Sequence, residues 1–477
     1  MKKQRFTRFF VKNLHMIMLF FLCVVILVLP HLLRESLIGD ESYFSLRMAK
    51  QINEGQWYDH LSYGGRENTY ILGWPILLSF FGLFLDLTFV SKALPFVLGI
   101  ASFLLFSFIL KELRIEYKYR LLSAFFLIFS PSFIYVFSVS QAFSALVFLS
   151  LLGFYLFLRG EYLFALFVFA VFPFFDFFAG ALALFLFSLY IFFFNKSKKK
   201  WLWFFLFTFL LVTFAYQWRR LLFFGLPEPL NFSITKEYLS FVELGSTFGI
   251  SIFGILFALF GFVFFWKSSK KIFLLLLLLS FFILGFFFSW SLFFLNFFLA
   301  FFGAYGLFNL VKMKWESHLI KRLSLLILIG GFLFSTIFYL QRLNEMEPTP
   351  EQTGAFLFLR RTSDEDTAVF SHYSKGFWIN ALSERKNIMD ANFLYAPDVN
   401  RRYNWSESFL HSTRLEENEE FLATYPFLYI YIDDLMRKRL WKEEDEGLLY
   451  LFSYSNQFKR VYKNKGVEIW KIKRTEE

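Results

Sequence analysis

Two adjacent carboxylates, Asp40 and Glu41, open the stretch Gly39-Asp40-Glu41-Ser42-Tyr43-Phe44-Ser45-Leu46-Arg47, directly after the first apolar run. Acids placed where a membrane segment surfaces are costly to desolvate, so they imply a cation, a paired base or a substrate headgroup beside them. One chemistry open to them is removal of a proton from an acceptor hydroxyl. Another is ligation of a hard divalent cation, which takes carboxylate oxygen and neutralises a phosphate leaving group. A plainer use stands beside both: an acid at the start of a helix accepts from its free N–H groups and suits the positive end of its dipole.

Five further residues are candidates. Asp176 lies among phenylalanines in Pro173-Phe174-Phe175-Asp176-Phe177-Phe178, where an ionisable group is either functional or a turn residue that reaches water. Arg219 and Arg220 end an apolar run, placed to bind a phosphate or to snorkel at the interface. Glu243 precedes another apolar run as an acidic contact or a helix cap. His372 is a base, a ligand or a structural histidine at a strand end. Asp40, Asp176 and Glu243 together form the candidate metal set. The chain has no phosphate-cradling glycine loop, nucleophile elbow or zinc-protease motif.

The elements that must position these residues are apolar helices. Runs at 13–33, 89–110, 121–137, 142–158, 162–175, 177–194, 201–217, 248–266, 272–288, 292–311 and 323–340 each approach the roughly 20 residues needed to cross a bilayer. The run 70–86 is short and broken by Gly73, Pro75 and Gly82. With residues 1–12 inside and 70–86 not spanning, the basic loops at 111–120, 195–200, 267–271 and 312–322 all fall inside, as charge asymmetry requires. The run 70–86 is therefore expected as a re-entrant or surface helix on the outer face, with twelve spans as the alternative. Loops 34–88 and 218–247 are then outside, and the first run is read as a retained anchor in the plasma membrane of a prokaryotic cell.

Of the 477 residues, 57% are hydrophobic and 24% aromatic, which excludes an ordinary soluble domain. The net charge of +11 resides mostly in the inner loops, a topology signal that points away from nucleic acid. The single cysteine, Cys23, excludes a disulfide framework and a cysteine-based zinc site. From 341 to 477 the composition becomes mixed and charged. Strand-like runs at 367–373, 386–389, 427–433 and 467–473 alternate with helical patterns at 376–384, 415–424 and 434–443. The expected architecture is a polytopic α-helical membrane domain, 1–340, followed by an extracytoplasmic α/β domain, 341–477.

Three segments resemble the GT-C superfamily of membrane glycosyltransferases, and within it the catalytic subunits of archaeal-type oligosaccharyltransferases. Gly39-Asp40-Glu41 through Arg47 is similar to the acidic first-loop motif, and Phe241-Val242-Glu243-Leu244 to the Thr-Ile-x-Glu segment. Ser371-His372-Tyr373-Ser374-Lys375-Gly376-Phe377-Trp378-Ile379 resembles the surroundings of the Trp-Trp-Asp-Tyr-Gly signature. His372-Tyr373-Ser374-Lys375-Gly376 replaces that signature, and Ser138-Val139-Ser140-Gln141 lacks the second acidic motif. The resemblance implies an inverting enzyme that moves a sugar from a polyprenyl phosphate or diphosphate to a glycan, lipid or protein. Asp40 would serve as base or metal ligand, with Glu41 as its partner. Asp176, Glu243 and His372 would contact substrate, and Arg219 and Arg220 the lipid phosphate. Mg2+ or Mn2+ is an open option, because several branches of the superfamily work without a metal. The alternatives are a true oligosaccharyltransferase and a non-enzymatic flippase for lipid-linked glycans.

Overall fold

The computed structural model describes residues 2–68, 72–195, 198–225, 250–266, 276, 277, 280 and 290–473, with backbone alone for 2–13. The chain divides into two compact units. One comprises Met1–Leu37, Phe89–Trp218 and Thr235–Glu345; the other comprises Ile38–Thr88, Arg219–Ile234 and Met346–Glu477. Residues 38–88 thus belong with the tail rather than with the apolar helices that flank them in sequence.

The first unit is helical throughout its described part: α1 (Lys2–Leu32), α4 (Leu87–Glu112), α5 (Tyr117–Ile128), α6 (Pro131–Ser138), α7 (Ala142–Arg159), α8 (Tyr162–Ala170), α9 (Phe177–Phe194), α10 (Lys199–Phe224), α11 (Ile252–Phe265), α12 (Ser291–Lys312) and α13 (His318–Glu345). Seven described helices are long and apolar enough to cross a membrane, eight if α5 and α6 count as one. Helix occupies every expected span except 272–288, which lies almost wholly outside the described residues, but α8 and α11 fall among the shorter apolar helices.

The run expected as one span over 121–137 is bent by 60° between α5 and α6. Pro131 has no N–H to continue the ladder and forces Ser130 out of the helical region, to φ −85° and ψ 127°. The freed polar groups find partners inside the protein: Thr336 Oγ1 donates to the Phe129 carbonyl at 2.5 Å, and Ser130 Oγ meets Asn296 Oδ1 at 2.5 Å. Phenylalanine supplies much of the packing. The rings of Phe157, Phe169 and Phe205 lie 4.7, 4.8 and 5.2 Å from that of Phe187, which ties α7, α8, α9 and α10 together.

Helices α11 and α12 meet backbone to backbone at Gly261 and Gly306. A Cβ on Gly261 would strike the Phe302 carbonyl, and one on Gly306 the Phe257 carbonyl. Gly306→Leu is therefore expected to destabilise the membrane unit by about 1–3 kcal/mol or more, seen as a lowered unfolding temperature in nanodiscs. Unchanged unfolding would mean that the two helices do not approach this closely.

In the second unit, α2 (Asp40–Asn53) and α3 (Gly73–Gly82) flank a two-residue ladder of β1 (Tyr58–Asp59) and β2 (Arg66–Glu67). At ten residues α3 is about 15 Å long, half the thickness of a bilayer core. The tail carries a five-stranded sheet of order β4-β3-β5-β7-β6, built from β3 (Ala368–Phe370), β4 (Lys386–Asn387), β5 (Tyr429–Asp433), β6 (Phe458–Asn464) and β7 (Val467–Ile472). Strand β3 runs parallel to β4 and β5, while β7 runs antiparallel to β5 and β6. All five residues of β5 are buried, as a central strand covered on both faces demands. The sequence reading omits β6, whose Phe-Lys-Arg-Val-Tyr-Lys-Asn run is mostly polar because it forms the edge. It also omits the helix α14 (Pro350–Thr362), which opens on a capping box between Thr349 and Gln352.

Candidate active site

Asp40 is the first residue of α2. Gly39 holds the cap position at φ 77°, a left-handed conformation that glycine adopts freely, and offers no side chain to the helix start. Asp40 Oδ1 instead accepts from the Glu41 N–H at 3.0 Å. Asp40 is half-buried and Glu41 exposed. Burial pushes the Asp40 carboxyl above the ordinary aspartate range. Its backbone hydrogen bonds oppose this, the charge of Glu347 adds to it, and Lys375 pulls it back.

Those two neighbours belong to an ionic knot. The Lys375 ammonium is 2% exposed and donates to both oxygens of Glu347 at 2.7 and 2.8 Å, with Asp433 Oδ2 also at 2.8 Å. Gln352 Nε2 donates to Glu347 Oε1 at 2.5 Å and to Asp433 Oδ2 at 2.9 Å, and the Met436 N–H donates to Asp433 Oδ1 at 2.9 Å. The Trp378 ring lies 4.8 Å from the ammonium. A buried charge demands this much compensation. One ammonium serves two carboxylates, so the lysine in the His372-Tyr373-Ser374-Lys375-Gly376 segment is engaged by its own protein.

Two sets of contacts hold α2 to the tail. The Phe44 ring lies 4.9 Å from that of Phe377, in a cluster with Met48 and Leu72. Arg47 grips Asp59 through both guanidinium nitrogens at 2.5 and 2.7 Å, and both side chains are buried. Asp59 Oδ1 also accepts from the N–H groups of Leu61 and Ser62, which sets the turn after β1. That turn enters the tail. Ser62 Oγ bonds Asp390 Oδ2 at 2.5 Å, the Tyr63 N–H donates to Asn387 Oδ1 at 2.7 Å, and Arg66 donates to the carbonyls of Asn392 and Leu394. Asp390 is fully buried, which pushes its carboxyl up, while Ser62 and Arg66 favour its charge. Gly376 packs so tightly on Met389 and Asp390 that a Cβ there would strike their backbone.

His372 lies in the same unit as Asp40. Its Nδ1 faces Ser374 Oγ at 2.8 Å, and Nε2 is 3.9 Å from Glu407. Burial, then the charges of Lys375 and Arg439, bring its pKa down to about 4, so it is neutral at pH 7. Arg219 and Arg220 do not end their helix: α10 continues to Phe224, and the Arg219 guanidinium lies 5.7 Å from the centre of the Phe223 ring. Asp176 belongs to the first unit and caps α9, its Oδ1 accepting from the Ala179 N–H at 2.7 Å. Glu243 lies outside the described residues. Among the described residues no group of three or more His, Cys, Asp or Glu is arranged to hold a metal ion.

Glu347, Asp433 and Arg47 escaped the sequence reading as site residues. The signals were slight: Asp433 ends an apolar strand, Glu347 precedes a proline, and Arg47 lies about 1.7 turns beyond Glu41.

No protein-family model matches the chain, and no curated protein matches it either. Solved structures do. The archaeal oligosaccharyltransferase AglB from Archaeoglobus fulgidus, in complex with an inhibitory peptide and a dolichol-phosphate, matches at a TM-score of 0.65 and 14% identity, over 98% of this chain and 75% of that one. The Archaeoglobus fulgidus oligosaccharyltransferase in complex with Zn and sulfate matches at 0.59 and 15%, over 94% and 72%. ArnT from Cupriavidus metallidurans bound to undecaprenyl phosphate matches at 0.57 and 9%, over 96% and 98%. Identities this low carry the fold alone, but they carry it over nearly the whole chain: its fold is similar to that of these oligosaccharyltransferase and ArnT structures.

Proposed function

We infer that this protein is an inverting glycosyltransferase of the extracytoplasmic membrane face, with a sugar on a polyprenyl phosphate or diphosphate as donor. The observation that carries the reading is Asp40: a partly buried carboxylate with a raised pKa, at the start of a helix that Arg47, Ser62 and Phe44 fasten into the tail unit. The similar folds bound to dolichol-phosphate and undecaprenyl phosphate support the donor class.

In this reading Asp40 takes the proton of an acceptor hydroxyl as that oxygen attacks the anomeric carbon. The new bond forms on the side opposite the phosphate, the anomeric C–O bond breaks with its electron pair going to phosphate, and the configuration inverts. Glu41 acts as the partner of Asp40, Arg219 and Arg220 offset the phosphate charge, and His372 contacts substrate as a neutral hydrogen-bonding group. Mg2+ or Mn2+ bound with Asp40 would stabilise the leaving phosphate. Glu347, whose charge bears on Asp40, already holds the Lys375 ammonium together with Asp433, so no step here is routed through a metal.

The test is transfer from labelled polyprenyl-phosphate sugars in membranes, wild type against Asp40→Asn, with and without chelator. Transfer undiminished by the substitution would return Asp40 to helix capping. The pH profile gives a separate check. A base works only deprotonated, and its raised pKa moves the acid limb of the rate profile upward, so half-maximal rate is expected above the usual aspartate value of about 3.9. An acid limb at or below that value would remove Asp40 as the base.

A further inference from the structure

Helix α3 is packed on one side and bare on the other. On the packed side Trp74 and Leu78 are buried, and Ser79 Oγ donates at 2.5 Å to the side-chain oxygen of Asn53, the last residue of α2. Gly82 is tight as well, since a Cβ there would strike Leu87. On the bare side the helical path outlasts the helix: the N–H groups of Leu83 and Leu85 donate to the carbonyls of Ser79 and Phe81. Ile76, Phe80, Leu83 and Phe84 therefore follow one another at spacings of three and four along one face. They are between 48 and 75% exposed, and the Phe80 and Phe84 rings stand side by side at 6.0 Å.

No Asp, Glu, Lys, Arg or His lies between Glu67 and Asp86. A helix that is apolar all round belongs inside protein or in lipid, and water-facing surfaces rarely leave so large a patch open. The chain itself says which cover this face has. Four residues after Gly82 it enters α4, which is long and apolar enough to cross a membrane and exposes Phe89 and Val97 as a lipid-facing span does. At about 15 Å, α3 is too short to span. We propose that α3 lies flat on the leaflet that α4 enters, with Ile76, Phe80, Leu83 and Phe84 seated among the acyl chains just below the headgroups. Through Asn53 and Ser79 this anchor holds the far end of α2 at the membrane surface, and so sets the depth at which the same helix presents Asp40. The bearing of that depth on a lipid-linked donor rests on the glycosyltransferase reading; the lipid contact does not.

The test uses the full chain in nanodiscs, with Cys23→Ser to remove the native thiol. Phe80→Cys, Phe84→Cys and, as a water-facing control on an exposed turn of the tail, Glu365→Cys each carry the environment-sensitive fluorophore NBD. At positions 80 and 84 emission is expected to shift to the blue. Quenching there should be severalfold stronger by lipids with a doxyl group at acyl carbon 5 than by aqueous iodide or by lipids with doxyl at carbon 12, and the control should show the reverse preference for iodide. Water-like emission with iodide quenching at 80 and 84 would overturn the proposal. So would stronger quenching from carbon 12, which would make α3 re-entrant, or protection from every quencher in a nanodisc that holds two copies, which would put a second protein on this face. Sugar transfer is scored separately. A protein that transfers sugar with α3 in water overturns the anchor alone; one with α3 in lipid that transfers nothing from any donor overturns the enzyme reading alone.

Discussion

Asp40→Asn is expected to lower sugar transfer by about 10²–10⁴-fold, the usual contribution of a positioned general base, equivalent to roughly 3–5 kcal/mol of barrier. The substitution separates the two uses of this residue. Asn has nearly the shape of Asp and keeps a side-chain oxygen to accept the Glu41 N–H, so the start of α2 is preserved. What it cannot do is take a proton. If Asp40 serves only the helix, the variant should match wild type in both stability and rate. A large loss of transfer in a protein with unchanged unfolding temperature therefore identifies chemistry. A comparable loss in both would point to damage of the fold.

Arg47→Leu should cost about 3–5 kcal/mol of stability in the second unit, because it leaves the fully buried Asp59 carboxylate without its counter-charge. That is a large part of the 5–15 kcal/mol by which domains are usually stable. The pH dependence carries a sign. Burial pushes the Asp59 carboxyl up, but Arg47, reinforced by the Ser62 and Leu61 N–H groups, more than offsets it and leaves the pKa below the ordinary value. The pair's contribution is thus complete above the unfolded aspartate pKa of about 3.9 and is lost as pH falls through the lower folded value. In the Arg47→Leu protein the sign reverses, and acidification to pH 5 should recover part of the loss by protonating Asp59. The double variant Arg47→Leu/Asp59→Leu should regain most of it. Thermal unfolding in nanodiscs measures all three; a loss under 1 kcal/mol in the single variant would mean that water reaches this pair.

The apolar helices were legible because a bilayer leaves a sequence few choices. The bend at Ser130-Pro131 was written there too, but a hydropathy run hides it, since Pro131 interrupts hydrogen bonds without interrupting apolarity. Strands β3, β5 and β7 were found where their runs are apolar, and β4, Lys386–Asn387, was caught only because the apolar Ile388-Met389 follows it; β6 was missed because an edge strand may be polar and still pair. The site divides the same way. Asp40 stands out as an acid at the end of a span, whereas Glu347, Lys375 and Asp433 are ordinary charged residues until the fold closes them around one another. Long-range partners such as Ser62 and Asp390, 328 positions apart, leave no mark on local pattern.

That separation sets a timetable for the newborn chain. Residues 38–88 leave the ribosome long before the segment that covers Ser62 and Tyr63 exists. At about 5–20 residues per second, the gap of 328 positions amounts to a wait on the order of 15–65 s. Throughout it, Phe44, Met48 and Tyr63 have no tail to bury them. The helix that carries Asp40 can be finished only after the apolar helices between the two segments have been synthesised, which makes assembly of the site one of the last events in the life of the nascent polypeptide.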